Sequence, residues 1–178
     1  MMTVRGNDQQ KTLVIIRHAQ AEHGLGVADH ERTLSATGAQ DAPEAGKWLL
    51  TRGLIPDQLI TSDAVRTRQT TTWVLSELGE QAVTPALDPR LYEATAAQAL
   101  SVINETEESV RTLCVVGHMP WVQDLGMRLA SVASDEQSVI RMAEHYPTLG
   151  IQVFEISARW AELDGRDARM VDFIAPRG

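Results

Sequence analysis

Leu13-Val14-Ile15-Ile16-Arg17-His18-Ala19 is the stretch on which the fold turns. Its first four residues form an unbroken apolar run, mostly β-branched, the pattern of a strand buried on both faces. The run stops on a guanidinium and an imidazole. The same design recurs at Arg111-Thr112-Leu113-Cys114-Val115-Val116-Gly117-His118, a second apolar strand closing on a histidine, with Pro120 set at the first position of a following helix.

Working outward, the spacing predicts a loop over residues 20–35 and a helix over 38–51, with Ala42, Ala45, Trp48 and Leu49 inward and Pro43 in the first turn. A short strand follows over 58–61. Ser62 or Asp63 then caps a helix running to Leu78, with Val65, Trp73, Val74 and Leu78 inward. Residues 85–93 read as irregular, 96–104 as an Ala-rich helix and 105–108 as a loop. Beyond the second histidine, a polar connecting segment leads to strands over 151–156 and 170–174. Strands alternating with helices predict an α/β three-layer sandwich, with a mostly parallel central sheet of about six strands flanked by helices. Functional sites in such sheets form outside the carboxyl ends of the strands, where Arg17, His18, Ser62, Gly117 and His118 all fall.

A chain of 178 residues, 43% hydrophobic, is the size of one compact domain; residues 11–178 read as that domain and 1–10 as a flexible polar tail. The net charge of −8 argues against a general nucleic-acid binder or a ligand of anionic membranes, so any cationic site must be local. Only Lys11 and Lys47 among the 16 basic residues are lysines; the rest are arginines, the better bidentate partners for phosphate. The single cysteine, Cys114, lies inside an apolar strand and reads as a small hydrophobe. No stretch approaches the length of a membrane span, and a cytoplasmic protein is the expectation, its oligomeric state left open with a monomer slightly favoured.

A phosphoryl group spreads its charge over three oxygens, so a site that transfers it needs forked cationic donors around an in-line nucleophile. Arg17, Arg66 and Arg32 are candidate donors. His18 is the candidate nucleophile, provided a backbone carbonyl accepts the other ring proton and fixes the tautomer. His118 can share the charge as a cation. A metal site on His18, His23 and His30 is disfavoured, because Arg17 would repel the ion and no carboxylate cluster accompanies them. His23, His30 and His145 otherwise read as solvated surface.

With these residues in hand, the chain resembles the histidine phosphatase superfamily, and within it the small SixA-like phosphohistidine phosphatases. The resemblance rests on Leu13 to Ala19, on Ser62-Asp63-Ala64-Val65-Arg66-Thr67-Arg68-Gln69-Thr70 and on Val115-Val116-Gly117-His118-Met119-Pro120. It implies a covalent phosphohistidine at His18, a phosphoryl group bound by Arg17, Arg66 and His118, and no metal or organic cofactor. The implied partner is a phosphorylated protein or a small phosphorylated substrate. The stretch between Arg66 and His118 is too short for the helical cap of larger relatives, so an open site is expected. Small-molecule phosphoesterase activity and a non-catalytic phosphate-binding role are the alternatives.

Two departures stand out. Ala19 replaces a glycine common in the superfamily and is expected to bring a methyl group near the phosphate. The general acid has no fixed position; Glu93 ranks first, then Glu22, four residues beyond His18, then Asp29. A phosphohistidine leaves as an imidazole, far less basic than an alkoxide, and so depends less on a strong acid.

Overall fold

The computed structural model describes residues 10–176, so the predicted tail lies outside the described residues except for Gln10. Six strands make one sheet: β1 (Lys11–Arg17), β2 (Gln58–Thr61), β3 (Ala86–Leu87), β4 (Thr112–Gly117), β5 (Ile151–Ile156) and β6 (Ala168–Ile174). Their order is β3-β2-β4-β1-β5-β6. The first four run parallel, and β5 and β6 extend the sheet antiparallel. Five α-helices flank it: α1 (Ala36–Arg52), α2 (Val65–Leu78), α3 (Ala96–Asn104), α4 (Trp121–Leu129) and α5 (Glu136–Glu144). The expected three-layer α/β sandwich is therefore what the chain forms, and no cap domain interrupts it among the described residues.

The layers follow from strand alternation. Val14 and Ile16 of β1, with Cys114 and Val116 of β4, face α1 and α2, meeting Ala42, Ala45, Leu49, Val74 and Leu78. Leu13, Ile15, Leu113 and Val115 face the other way, against α3, α4 and α5. Both faces of the central strands are dry, which is why they read as continuous apolar runs.

Several local expectations are corrected. Helix α1 starts earlier, at Ala36, because Ser35 accepts from the Gly38 amide and caps it; Pro43 consequently sits in the helix interior. Helix α2 has Ala64 as its cap residue and no side-chain cap bond, so neither Ser62 nor Asp63 caps it. Trp73 is exposed, and the inward face of α2 is instead Arg66, Thr67, Thr70, Thr71, Val74 and Leu78. The hydroxyls of Thr67 and Thr70 tolerate burial because each donates to a carbonyl of its own neighbourhood. Pro120 is the cap residue of α4, following a cis peptide bond, with Trp121 the first helical residue. The polar segment after α4 contains α5, capped by Asp135, whose side chain accepts from the Ser138 amide. Only Ser138 and Met142 of that helix are buried.

Gly117, the last residue of β4, has a specific steric role. A Cβ there would lie 1.9 Å from the Trp121 indole. That ring is buried, and its Nε1 donates to Leu91 O at 3.0 Å, so it cannot simply step aside. Gly117→Ala is expected to cost about 3 kcal/mol by overpacking, lowering the melting temperature by roughly 6–12 °C for a domain of this size. Thermal denaturation followed by circular dichroism reads this directly, and an unchanged Tm contradicts the packing account.

Candidate active site

The three parallel strands β1, β2 and β4 end side by side. Arg17 pairs with Gly117 in register, the His18 amide donates to Gly117 O at 3.0 Å, and the Ser62 amide donates to Val116 O at 3.2 Å. The residues after each strand therefore converge on one spot. The rings of His18 and His118 lie 5.3 Å apart, tilted by 60°. Both are buried, at 8% and 6% exposure.

His18 Nδ1 sits 2.7 Å from Ala19 O. A carbonyl only accepts, so the ring proton is on Nδ1 and Nε2 carries the lone pair. The residue that provides this contact is also held on its other side: the Ala19 amide donates to Thr70 Oγ1 at 3.0 Å, and that hydroxyl donates to Arg66 O. Ala19 is fully buried within the apolar layer under α1 and α2. Its methyl group thus packs into the core, correcting the expectation that it crowds a phosphate.

Arg17 donates from Nη1 to Tyr146 O at 2.8 Å. Arg66, 5% exposed in the first turn of α2, donates from Nη1 to Asp29 O and from Nη2 to Asp29 Oδ2. His118 Nε2 lies 2.8 Å from Ser62 Oγ. Arg17 Nε, Arg66 Nε and His118 Nδ1 are all buried without a hydrogen-bonding partner. Buried polar groups in that condition are costly in an otherwise satisfied protein, and cationic or donor groups clustered this way suit an oxyanion.

Burial is the main force on both imidazoles. Desolvation pushes His18 down to about 4, opposed by the Ala19 carbonyl and reinforced by Arg66, Arg17 and Arg32. Desolvation, then His18 and Arg66, push His118 down to about 3. Before an anion arrives, His118 is accordingly neutral near pH 7 rather than the cation expected from sequence. A bound dianion acts in the opposite direction.

Arg32 reaches the same region, donating to Asp29 Oδ1 at 2.9 Å and to Glu22 O at 2.8 Å. Of the three acids, Asp29 is the one in direct contact with these cations, in a 3-10 turn over Asp29–Glu31. Glu93 is exposed, with a left-handed φ of 54°. Glu22 is exposed, and its contact with Arg32 is through the backbone.

Two site residues escaped the sequence reading. Tyr92 donates from its hydroxyl to Asp29 Oδ2 at 2.6 Å, and its ring lies 5.7 Å from that of His118. In sequence the stretch over 85–93 offers Glu93 for its carboxylate, whereas Trp121, by holding Leu91 O, fixes the turn that brings in the neighbouring phenol. His30 is not merely solvated: its Nε2 lies 3.0 Å from Asp63 Oδ1 and its ring meets Tyr92 edge-on. Among the described residues, no group of three or more His, Cys, Asp or Glu side chains is arranged to hold a metal, and no helix is long and apolar enough to cross a membrane.

The sequence profile of the histidine phosphatase superfamily (branch 1) matches residues 13–112. The chain belongs to this superfamily. The matched stretch includes Arg17, His18 and Arg66 and ends before His118. An uncharacterised protein of Mycobacterium tuberculosis is 36% identical over 163 residues, spanning 91% of this chain and all of its own length. A structure put forward as the phosphohistidine phosphatase SixA of Nakamurella multipartitia superposes with a TM-score of 0.79 at 27% identity, covering 95% of this histidine phosphatase and 98% of that chain. The broad-specificity phosphatase of Saccharomyces cerevisiae shares 36% identity over 84 residues, 46% of this chain and 36% of its own.

Proposed function

We propose that this histidine phosphatase is a metal-independent phosphohistidine phosphatase that works through a covalent phosphoryl group on His18. The observation that carries the reading is the 2.7 Å contact between His18 Nδ1 and Ala19 O, which leaves Nε2 unprotonated among cationic donors. Nε2 attacks phosphorus, its lone pair forming the P–N bond as the bond to the leaving group breaks. Water then attacks the phosphorus of the phosphohistidine, the electron pair of the P–N bond returns to Nε2, and inorganic phosphate leaves. Arg17, Arg66 and Arg32 hold the equatorial oxygens, and His118 adds a donor.

The sheet end carries no cap, which leaves room for a phosphoryl group borne by another protein. The likeness to the SixA structure supports the same substrate class. The match to a broad-specificity yeast phosphatase favours a second reading, a small phosphoester substrate. Steady-state hydrolysis with chelator present separates them. A phosphohistidine peptide is expected to exceed an alkyl phosphate in kcat/KM by about 100-fold or more, because its leaving group needs less acid assistance; comparable values favour the second reading.

The depressed His18 pKa sets the acid limb. Protonation removes the nucleophile, so activity is lost as pH falls through about 4. The expected kcat/KM profile keeps that limb near 4 for substrates that differ in their own second pKa. A limb near 6.5, the ordinary imidazole value, contradicts a buried neutral nucleophile.

A further inference from the structure

We infer that Asp29 is the proton donor to the leaving group, armed when the incoming phosphoryl group takes Arg66 and Arg32 away from its carboxylate. The inference rests on the proposed phosphoryl transfer at His18.

Three donors converge on this one carboxylate: Tyr92 Oη at 2.6 Å and Arg66 Nη2 at 3.1 Å on Oδ2, and Arg32 Nε at 2.9 Å on Oδ1. Two of the three are the guanidinium groups that a phosphoryl dianion needs. Carboxylate and phosphoryl oxygens are alike in charge and in the forked geometry they accept, so they compete for the same donors. The side chain of Asp29 is 54% exposed, whereas that of Arg66 is 7% exposed and His18 is buried. Asp29 is therefore the solvent-exposed partner of Arg66 in a site whose nucleophile is buried. In-line displacement expels the leaving group away from the nucleophile, toward solvent.

The exchange changes the chemistry of Asp29. While Tyr92, Arg32 and Arg66 donate to it, the carboxyl is held down to about 2 and stays ionised. Losing the cations and gaining a dianion both favour the protonated form, which takes its proton from solvent across the exposed face. As the bond from phosphorus to the leaving group breaks, the electron pair goes to the departing nitrogen or oxygen, which takes the Asp29 proton. The resulting carboxylate then accepts a proton from the water that attacks the phosphorylated His18. Tyr92, raised to about 12 chiefly by its bond to Asp29, stays protonated throughout and guides the carboxylate between its two positions. His30 and Glu93, the other titratable groups near Tyr92, are tied to Asp63 and Glu31 or exposed.

The test is the leaving-group dependence of phosphoenzyme formation, measured by rapid quench on a series from activated aryl phosphates to an alkyl phosphate. In Asp29→Asn the rate for a nitrophenyl leaving group is expected within about 3-fold of wild type, while the alkyl phosphate slows by about 100-fold. Inorganic phosphate should bind about tenfold tighter as a competitive inhibitor, since the competing carboxylate is gone. Tyr92→Phe keeps the carboxylate and both cations on it, so phosphate binding should change by less than about 3-fold, and the alkyl phosphate should slow by less than in Asp29→Asn. A uniform loss across the series, an unchanged slope in Asp29→Asn, or weaker phosphate binding in Asp29→Asn overturns the assignment. Absence of any phosphoenzyme in the wild type would instead overturn the role of His18.

Discussion

Replacing His18 with alanine is expected to lower kcat/KM by about 10^4-fold or more while leaving the fold intact. The size follows from the kind of group removed: without a nucleophile the two-step path is closed, and only direct attack by water assisted by the surrounding cations remains. Stability should change little, because a buried neutral imidazole contributes one hydrogen bond, to Ala19 O, and its loss leaves a carbonyl that water can reach through the site. His18→Ala should still bind inorganic phosphate, since Arg17, Arg66, Arg32 and His118 are untouched. Steady-state rates together with phosphate inhibition separate loss of chemistry from loss of binding. Parallel loss of both would mean that the variant has collapsed the site.

Replacing Arg66 comes second in size. Its guanidinium is buried at the start of α2, with a buried Nε that no group in the protein accepts from. A charge kept in that state is expensive unless it is used, and phosphoryl transfer uses it in the transition state. Arg66→Ala is expected to lower kcat about 10^3-fold, and Arg66→Lys to recover only part of this, because an ammonium is a point charge without the fork. The KM of the alanine variant should rise as well, since the same group holds the ground-state phosphoryl oxygens. A lysine variant with full activity contradicts bidentate use of Arg66.

The strand ends were legible in the sequence because of their burial. β1 and β4 sit in the middle of a parallel sheet, dry on both faces, so their apolar runs stop sharply where the site begins, at Arg17-His18 and Gly117-His118. Helix α5 was not legible. It buries only Ser138 and Met142, too thin a stripe to stand out, and depends on the Asp135 cap. Trp73 misled in the opposite direction: its size suggested core, but α2 is turned so that Arg66 and Thr70 face the site and self-satisfied threonines fill the interior. Ala19 was judged by its closeness in sequence to His18, whereas the backbone turns its methyl into the core.

The acids show a further limit. Glu93, Glu22 and Asp29 are equivalent as letters, and what distinguishes them is the path of two loops. The turn over Asp29–Glu31 lays one carboxylate against Arg66 and Arg32, and the turn ending at Tyr92 presents a phenol to that carboxylate while Glu93 points away to solvent exposure. Loop paths of this kind are set by long-range contacts such as Trp121 to Leu91 O, which no local periodicity encodes.

The account depends most on a phosphoryl group passing through His18. The direct measurement is to mix the protein with a radiolabelled phosphorylated substrate, quench within the first turnover in alkali, digest and map the label. The expected result is label on the peptide containing His18, stable in base and lost in acid as a phosphoramidate is, and missing from His18→Ala. Turnover with no labelled protein at any time, or label on another residue, would contradict it.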